Sequence, residues 1–346
     1  MKILVTGKYQ PKYNRNNVLL RGLEQLGVEL IEFPYPKRNK AVKISIRELE
    51  KDCDFIFLPS FTHLDVPFVR KITHKPIIFD PLISRYLSKV FDYKAVWRYS
   101  PRALKNYWKD KRSFKHSDLI LADTQAHKEY YIKQFGIVPS KIAVVHVGVH
   151  TGDFYPFGFE KPKSDNIIVG FYGSFIPLHG IEIIIKAAKL LENRKDIEFR
   201  IYGDGPGYSK IHSLFNELAL DSGILKGWVD YQELNKKINE MDICLGIFGD
   251  SLKADLVIPN KIYHYAACQK PIVTADTTGI KEIFEQGKTV FLTKKDASSL
   301  AQCLENIIAN PSERNYVSLN CFDLITRDYS EKKIAAEFLS AINSKI

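Results

Sequence analysis

The sequence predicts two consecutive doubly wound α/β domains, and three observations carry that prediction. Short β-branched and aromatic runs alternate with helix-length amphipathic stretches, the pattern of a parallel sheet covered on both faces. Near Phe154–Asp165 the chain turns to Pro, Gly and Lys, as a linker would, and the alternation then restarts. The length, 346 residues, suits two domains of ordinary size better than one.

Taken in order, Lys2–Thr6 is a short apolar run closed by Gly7, a strand and its turn. Asn17–Leu26 has helical spacing and stops at Gly27. Val28–Phe33, Phe55–Leu58, Pro76–Phe79, Leu119–Ala122 and Ile142–Val147 read as the remaining strands of the first sheet. After the linker come the strand Ile167–Tyr172, the helix Ile181–Leu191, the strand Ile197–Tyr202 and the helix Tyr208–Leu218. Ile243–Ile247 and Pro271–Ala275 are further strands, with helices at Asn260–Ala267 and Ala297–Ile308. Ser330 and Glu331 form a start signal for a last helix, Lys332–Ile342, whose Ile334, Ala335, Phe338, Leu339 and Ile342 fall at helical spacing.

Composition narrows the class. An apolar fraction of 45% with 26% charged residues is ordinary for a globular protein and excludes disorder, collagen and coiled coil. The five cysteines are odd in number and widely spaced, with no C-x-x-C, so reduced thiols in the cytoplasm and no metal site are expected. The opening MKILVTGKY lacks the apolar core of a signal peptide, and no run reaches the ~18 apolar residues of a spanning helix. The net charge of +10 favours anionic partners. Ten Lys and Arg against three Asp fall between Pro81 and Ile120, interleaved with Tyr86, Trp97, Tyr99, Tyr107 and Trp108.

Ligands of open α/β sheets bind at the carboxyl ends of the strands, and two facing domains would make a cleft there. The dinucleotide fingerprint G-x-G-x-x-G is absent after Gly7 and Gly173, and Gly203-Asp204-Gly205-Pro206 is an incomplete version. A Walker loop and a G-x-S-x-G elbow are absent as well, which sets aside P-loop and serine-hydrolase chemistry. Pro259 and Asn260 mark a helix start, with Pro where a missing N–H costs little and Asn as the cap. The free amides and positive dipole end of that helix suit a diphosphate, with Lys261 adding a full charge.

GFYGSFIPLHGIEIIIKAA (Gly170–Ala188), RIYGDGP, KGWVD, MDICLGIF and IPNKIYHYAACQKPIVT follow one another in that order over about 110 residues. In these motifs the second half resembles the family-four retaining glycosyltransferases. VVHVGVHTGDFYP (Val144–Pro156) is similar to that family's interdomain boundary. The resemblance implies the GT-B architecture: residues 1–160 as the acceptor domain, 161–328 as the nucleotide-sugar domain, and 329–346 crossing back to complete the first. It implies a nucleotide-diphosphate sugar as donor with no cofactor or bound metal. It places Gly203 and Asp204 beside the nucleotide, Trp228 and Val229 at the base, and Gly7 near the donor's phosphates. Ser174 and His179 stand where the family usually has an Arg and a Lys clamping the diphosphate, and Leu256 and His264 where it has two glutamates. As an imidazolium, His179 would meet a phosphate, and donor affinity would weaken between about pH 6 and 8. His264 would hydrogen-bond a ribose hydroxyl.

Asp80 and His63 follow strands of the first domain and are the candidates to orient the acceptor hydroxyl or the reacting sugar. The basic segment suits either single-stranded nucleic acid or an anionic membrane interface. The resemblance favours the membrane, through Arg98, Arg102, Lys105, Lys109 and Arg112, and nothing resembles a nucleic-acid signature. The expected function is transfer of a sugar to a glycan or lipid-linked acceptor by a cytoplasmic protein, peripheral on the inner membrane face. A non-catalytic nucleotide-sugar-binding subunit is the alternative.

Overall fold

A computed structural model describes residues 1–158 and 166–345. The chain divides into two units, Met1–Gly148 with Tyr329–Ile346, and Val149–Asp328. The boundary expected at 160/161 and the last part of the expected linker, residues 159–165, lie outside the described residues.

The first unit holds a six-stranded parallel sheet. Its strands are β1 (Lys2–Gly7), β2 (Glu29–Pro34), β3 (Phe55–Leu58), β4 (Ile77–Phe79), β5 (Leu119–Ala122) and β6 (Ile142–Val144). Their spatial order is β2-β1-β3-β4-β5-β6. Strands β3, β4 and β5 are buried along their whole length, which is why they read as continuous apolar runs.

The helix Glu331–Lys345 folds back onto this unit. Its Ile334, Ala335, Phe338 and Ile342 join one core with Val18, Leu19 and Leu23 of the helix Asn14–Gln25. The Phe338 ring meets that of Phe57 edge-on at 5.2 Å. The helices touch so closely at Gly22 that a β-carbon there would overlap the Glu331 carbonyl oxygen. Glu337 Oε2 also accepts the His146 backbone N–H at 3.0 Å.

The second unit repeats the plan with β7 (Ile167–Tyr172), β8 (Ile197–Tyr202), β9 (Leu225–Gly227), β10 (Ile243–Leu245), β11 (Ile272–Ala275) and β12 (Phe291–Thr293). The order β12-β11-β10-β7-β8-β9 reverses direction between β7 and β10, so a switch-point crevice opens at their carboxyl ends. Residues 149–157 belong here because Phe154 stacks on His264 at 3.7 Å and Asn235 and Asn239 accept the backbone N–H groups of Tyr155 and Phe157.

All five cysteines are free, and four of them are buried. Among the described residues no helix is long and apolar enough to cross a membrane.

Candidate functional site

The carboxyl ends of β7 and β8 are closed by glycines that let two loops cross. Gly173 (φ 149°), Gly203 (φ 152°) and Gly205 (φ 147°) all hold backbone conformations that side chains disfavour. The Gly173 N–H donates to the Tyr202 carbonyl at 2.9 Å, and the Phe175 N–H to the Asp204 carbonyl at 2.8 Å. A β-carbon on Gly203 would strike the Gly173 carbonyl oxygen. The loop after β9 joins them, since the Gly203 N–H donates to the Gly227 carbonyl at 2.7 Å. Trp228, next along that loop, is 65% exposed and Val229 half-buried, an open indole face at the rim of this loop cluster.

Lys261 projects into this cluster. Its ammonium is buried, has no hydrogen-bond partner, and lies 3.7 Å from the centre of the Phe171 ring. A β-carbon on Gly173 would come within 2.7 Å of Nζ, so only glycine leaves the ammonium room beside the loop. Burial without a counter-charge drives the Lys261 pKa well below its ordinary value. Burying a charge without a partner is costly, and a pocket that does so is poised for an anion.

Among the described residues no carboxylate offsets that burial, and the side chain beside it is the imidazole of His179. His179 is buried, and its Nδ1 shares a short hydrogen bond with the Ser174 carbonyl oxygen. Desolvation first, then the charges of Lys261 and Lys253, push its pKa well below 6.5. The turn Pro177–His179 that carries it is pinned to the end of β10, where the Phe248 N–H donates to the His179 carbonyl at 3.0 Å.

Several expectations are corrected here. His179 is neutral rather than an imidazolium, because it is buried beside an ammonium. The uncompensated ammonium of this cluster is that of Lys261. Asn260 is the first residue of the helix Asn260–Ala267, and Pro259 is the cap, with no side-chain cap bond. The N–H groups of Asn260 and Lys261 are left without an intrahelical partner, while that of Ile262 donates to the Pro259 carbonyl at 3.0 Å. His264 is no open ribose contact. It is buried, stacked on Phe154, hydrogen-bonded through Nδ1 to the Tyr172 hydroxyl at 2.7 Å, and its pKa falls to about 3 by desolvation. Leu256 is buried as well, at the end of the short helix Leu252–Leu256.

In the first unit, Asp80 is committed to structure. Its Oδ2 accepts from Arg15 Nε at 2.7 Å, inside the protein, and its Oδ1 from the Leu82 N–H at 2.8 Å. His63 is equally interior, edge-on to Phe79 at 5.2 Å and 3.7 Å from Asp110. Desolvation, then the charge of Arg85, lowers its pKa to about 3. Both side chains are thus buried, Asp80 held by Arg15 and the Leu82 N–H, whereas the two ring nitrogens of His63 have no hydrogen-bond partner. Gly7 (φ 122°) is required by a close approach, since a β-carbon would lie 2.7 Å from Thr62 Cγ2. Gly173 was not singled out from the sequence, although a glycine ending an apolar strand was the available signal. Among the described residues no three His, Cys, Asp or Glu side chains gather as a metal site would need.

Residues 166–310 match the glycosyl transferases group 1 family. Over 198 residues, 55% of this chain and 43% of the relative, the sequence is 24% identical to the phosphatidylinositol N-acetylglucosaminyltransferase GPI3 subunit of Saccharomyces cerevisiae. It is also 24% identical over 177 residues to an alpha-D-kanosaminyltransferase of Streptomyces kanamyceticus, 48% of this chain and 43% of that one. The matched stretch thus spans less than half the length of these curated relatives. Among solved structures, Anabaena HepE in complex with UDP and glucose superposes with a TM-score of 0.75 at 15% identity, over 99% of this chain and 100% of that one. Sucrose-phosphate synthase of Thermosynechococcus elongatus gives 0.77 at 13% identity, over 99% and 98%. The likeness is one of fold, two Rossmann-like domains in the GT-B arrangement.

Proposed function

We propose, from a second unit whose residues 166–310 carry the group 1 glycosyl transferase domain, that the protein is a retaining, metal-independent glycosyltransferase using a nucleotide-diphosphate sugar. The buried, unpartnered Lys261 ammonium is the observation that carries this reading. With the first amides of its helix it forms a cationic seat for the diphosphate. HepE, similar in fold, has a crystal structure in complex with UDP-glucose, which supports a uridine nucleotide as the first donor to try.

In the reaction the bond between the sugar's anomeric carbon and the diphosphate oxygen breaks, and the electron pair stays on that oxygen. Lys261 and the helix amides stabilise the charge as it builds there. The acceptor hydroxyl adds from the same face and passes its proton to the departing diphosphate. The acceptor is a glycan or a lipid-linked glycan, and the basic first unit supports a cytoplasmic, peripheral place at an anionic surface.

The test is slow hydrolysis of UDP-glucose, UDP-N-acetylglucosamine and GDP-mannose without acceptor, with and without EDTA, followed by NMR. One donor should release its nucleoside diphosphate, equally in both conditions. Tight nucleotide binding with no release from any donor would favour the non-catalytic binding subunit.

A further inference from the structure

Away from the nucleotide site, the first unit carries a basic trough. A hollow of about 920 Å³ is walled by three separate segments of the chain. They are the start of the helix Lys40–Leu49, the turn around the helix Val66–Val69, and one face of the helix Pro101–His116. Lys40, Lys43, Lys71, Lys105, Lys109 and Arg112 line it, and no carboxylate pairs with any of them among the described residues. The one acidic residue between Lys109 and Lys111, Asp110, is turned inward, accepting from Ser84 Oγ and the Tyr86 N–H.

A second hollow of about 490 Å³ shares Arg38 and Leu64 with the first, so the two adjoin along those residues. It adds Lys8, Lys37 and Arg85, and the buried Arg85 Nε has no hydrogen-bond partner. Lys8 directly follows β1, so the trough runs to the carboxyl end of this unit's sheet, where ligands of such sheets sit. Asp65 at that end is already paired with Arg38 at 2.6 Å and Tyr35 at 2.9 Å.

We propose that this trough binds an anionic oligosaccharide chain, the acceptor of the transfer proposed above, on which this inference rests. Unpaired cations spaced along the walls match repeating negative charges on a flexible chain. The exposed indole of Trp108 on the same wall offers a flat apolar face for a sugar ring. A bilayer does not enter a concave hollow. The residues best placed to touch one are Trp97 and Tyr99, 71% and 73% exposed, with Arg98 and Arg102, and all four lie outside the trough. The five basic residues expected to face a membrane are therefore divided, with Lys105, Lys109 and Arg112 in the trough.

The test is titration of the full chain, without donor, with octagalacturonate and with neutral maltooctaose. Octagalacturonate should bind at low salt, weaken at high salt, and exceed maltooctaose by at least about tenfold. The variant Lys43→Glu/Lys105→Glu should lose at least about tenfold. Lys128→Glu/Lys133→Glu, the same charge change on the helix Gln125–Phe135 outside the trough, should lose less than about threefold. Circular dichroism matching the native protein establishes that both variants fold. Equal losses in the two variants, equal binding of both sugars, or tighter binding of a single-stranded oligonucleotide of equal charge would overturn the proposal. So would phosphatidylglycerol vesicles that bind the protein while octagalacturonate does not. Failure of the transferase reading registers separately, as absent nucleotide release.

Discussion

Replacing Lys261 with Met should weaken UDP binding about 100-fold while raising the stability of the ligand-free protein. The affinity loss follows because a buried charge-assisted contact to an anion is worth roughly 2–5 kcal/mol when one partner is removed. The stability gain follows because the native ammonium is buried with no counter-charge. An apolar side chain of similar volume removes that penalty, on the order of 1–4 kcal/mol. A lysine that served only to pack or pair would show the opposite sign in the melt.

The pH behaviour carries the same signature. The Lys261 pKa in the free protein lies well below its ordinary value, and a bound diphosphate raises it again. Below the free-protein pKa the ammonium is charged with or without ligand, and affinity is constant. Above it, binding must take up a proton, so affinity falls by up to about tenfold per pH unit. Stability runs the other way. The burial penalty is fully present below the folded-state pKa and is relieved as pH rises through it, because the unfolded chain then binds more protons. Calorimetry in buffers of different ionisation enthalpy should show proton uptake in the native protein and none in Lys261→Met.

Ending the chain at Asp328 should unfold the first unit, although the deleted helix is the last element of the sequence. That helix gives Ile334, Ala335, Phe338 and Ile342 to the core of a sheet that begins at Lys2. The milder Phe338→Ala opens a cavity against Phe57 and should cost about 3–5 kcal/mol. Hydrogen exchange reads the result locally. Protection of β1 and β3 should collapse in the truncation, while that of β7 and β10 survives it. Unchanged protection of β1 would contradict the packing.

The fold was largely legible because buried parallel strands leave continuous apolar runs, as Phe55–Leu58 and Leu119–Ala122 do. What was missed lacks that signal. The strands Leu225–Gly227 and Phe291–Thr293 are three residues each, and Leu225–Gly227 is a largely exposed edge strand. The helix Pro311–Asp328 is polar on most sides, with only Val317, Ser318, Cys321 and Ile325 buried. At the site, the start of the helix Asn260–Ala267 was readable from residue chemistry, because Pro and Asn punctuate a helix wherever it packs. The roles given to His63, Asp80, His179 and His264 were not readable. Whether an imidazole or carboxylate is open or buried depends on neighbours far away in sequence. Asp80 meets Arg15, and His264 meets Phe154, only after folding.

The central claim is that the Lys261 pocket holds the diphosphate of a nucleotide. The most direct measurement is the affinity of the full chain for UDP against that for uridine, by calorimetry near neutral pH. The base and ribose are common to both ligands, so the ratio isolates the diphosphate. UDP should bind at least about 100-fold more tightly, a difference of about 2.7 kcal/mol, and Lys261→Met should erase most of that ratio. Equal affinities for UDP and uridine in the native protein would contradict the claim.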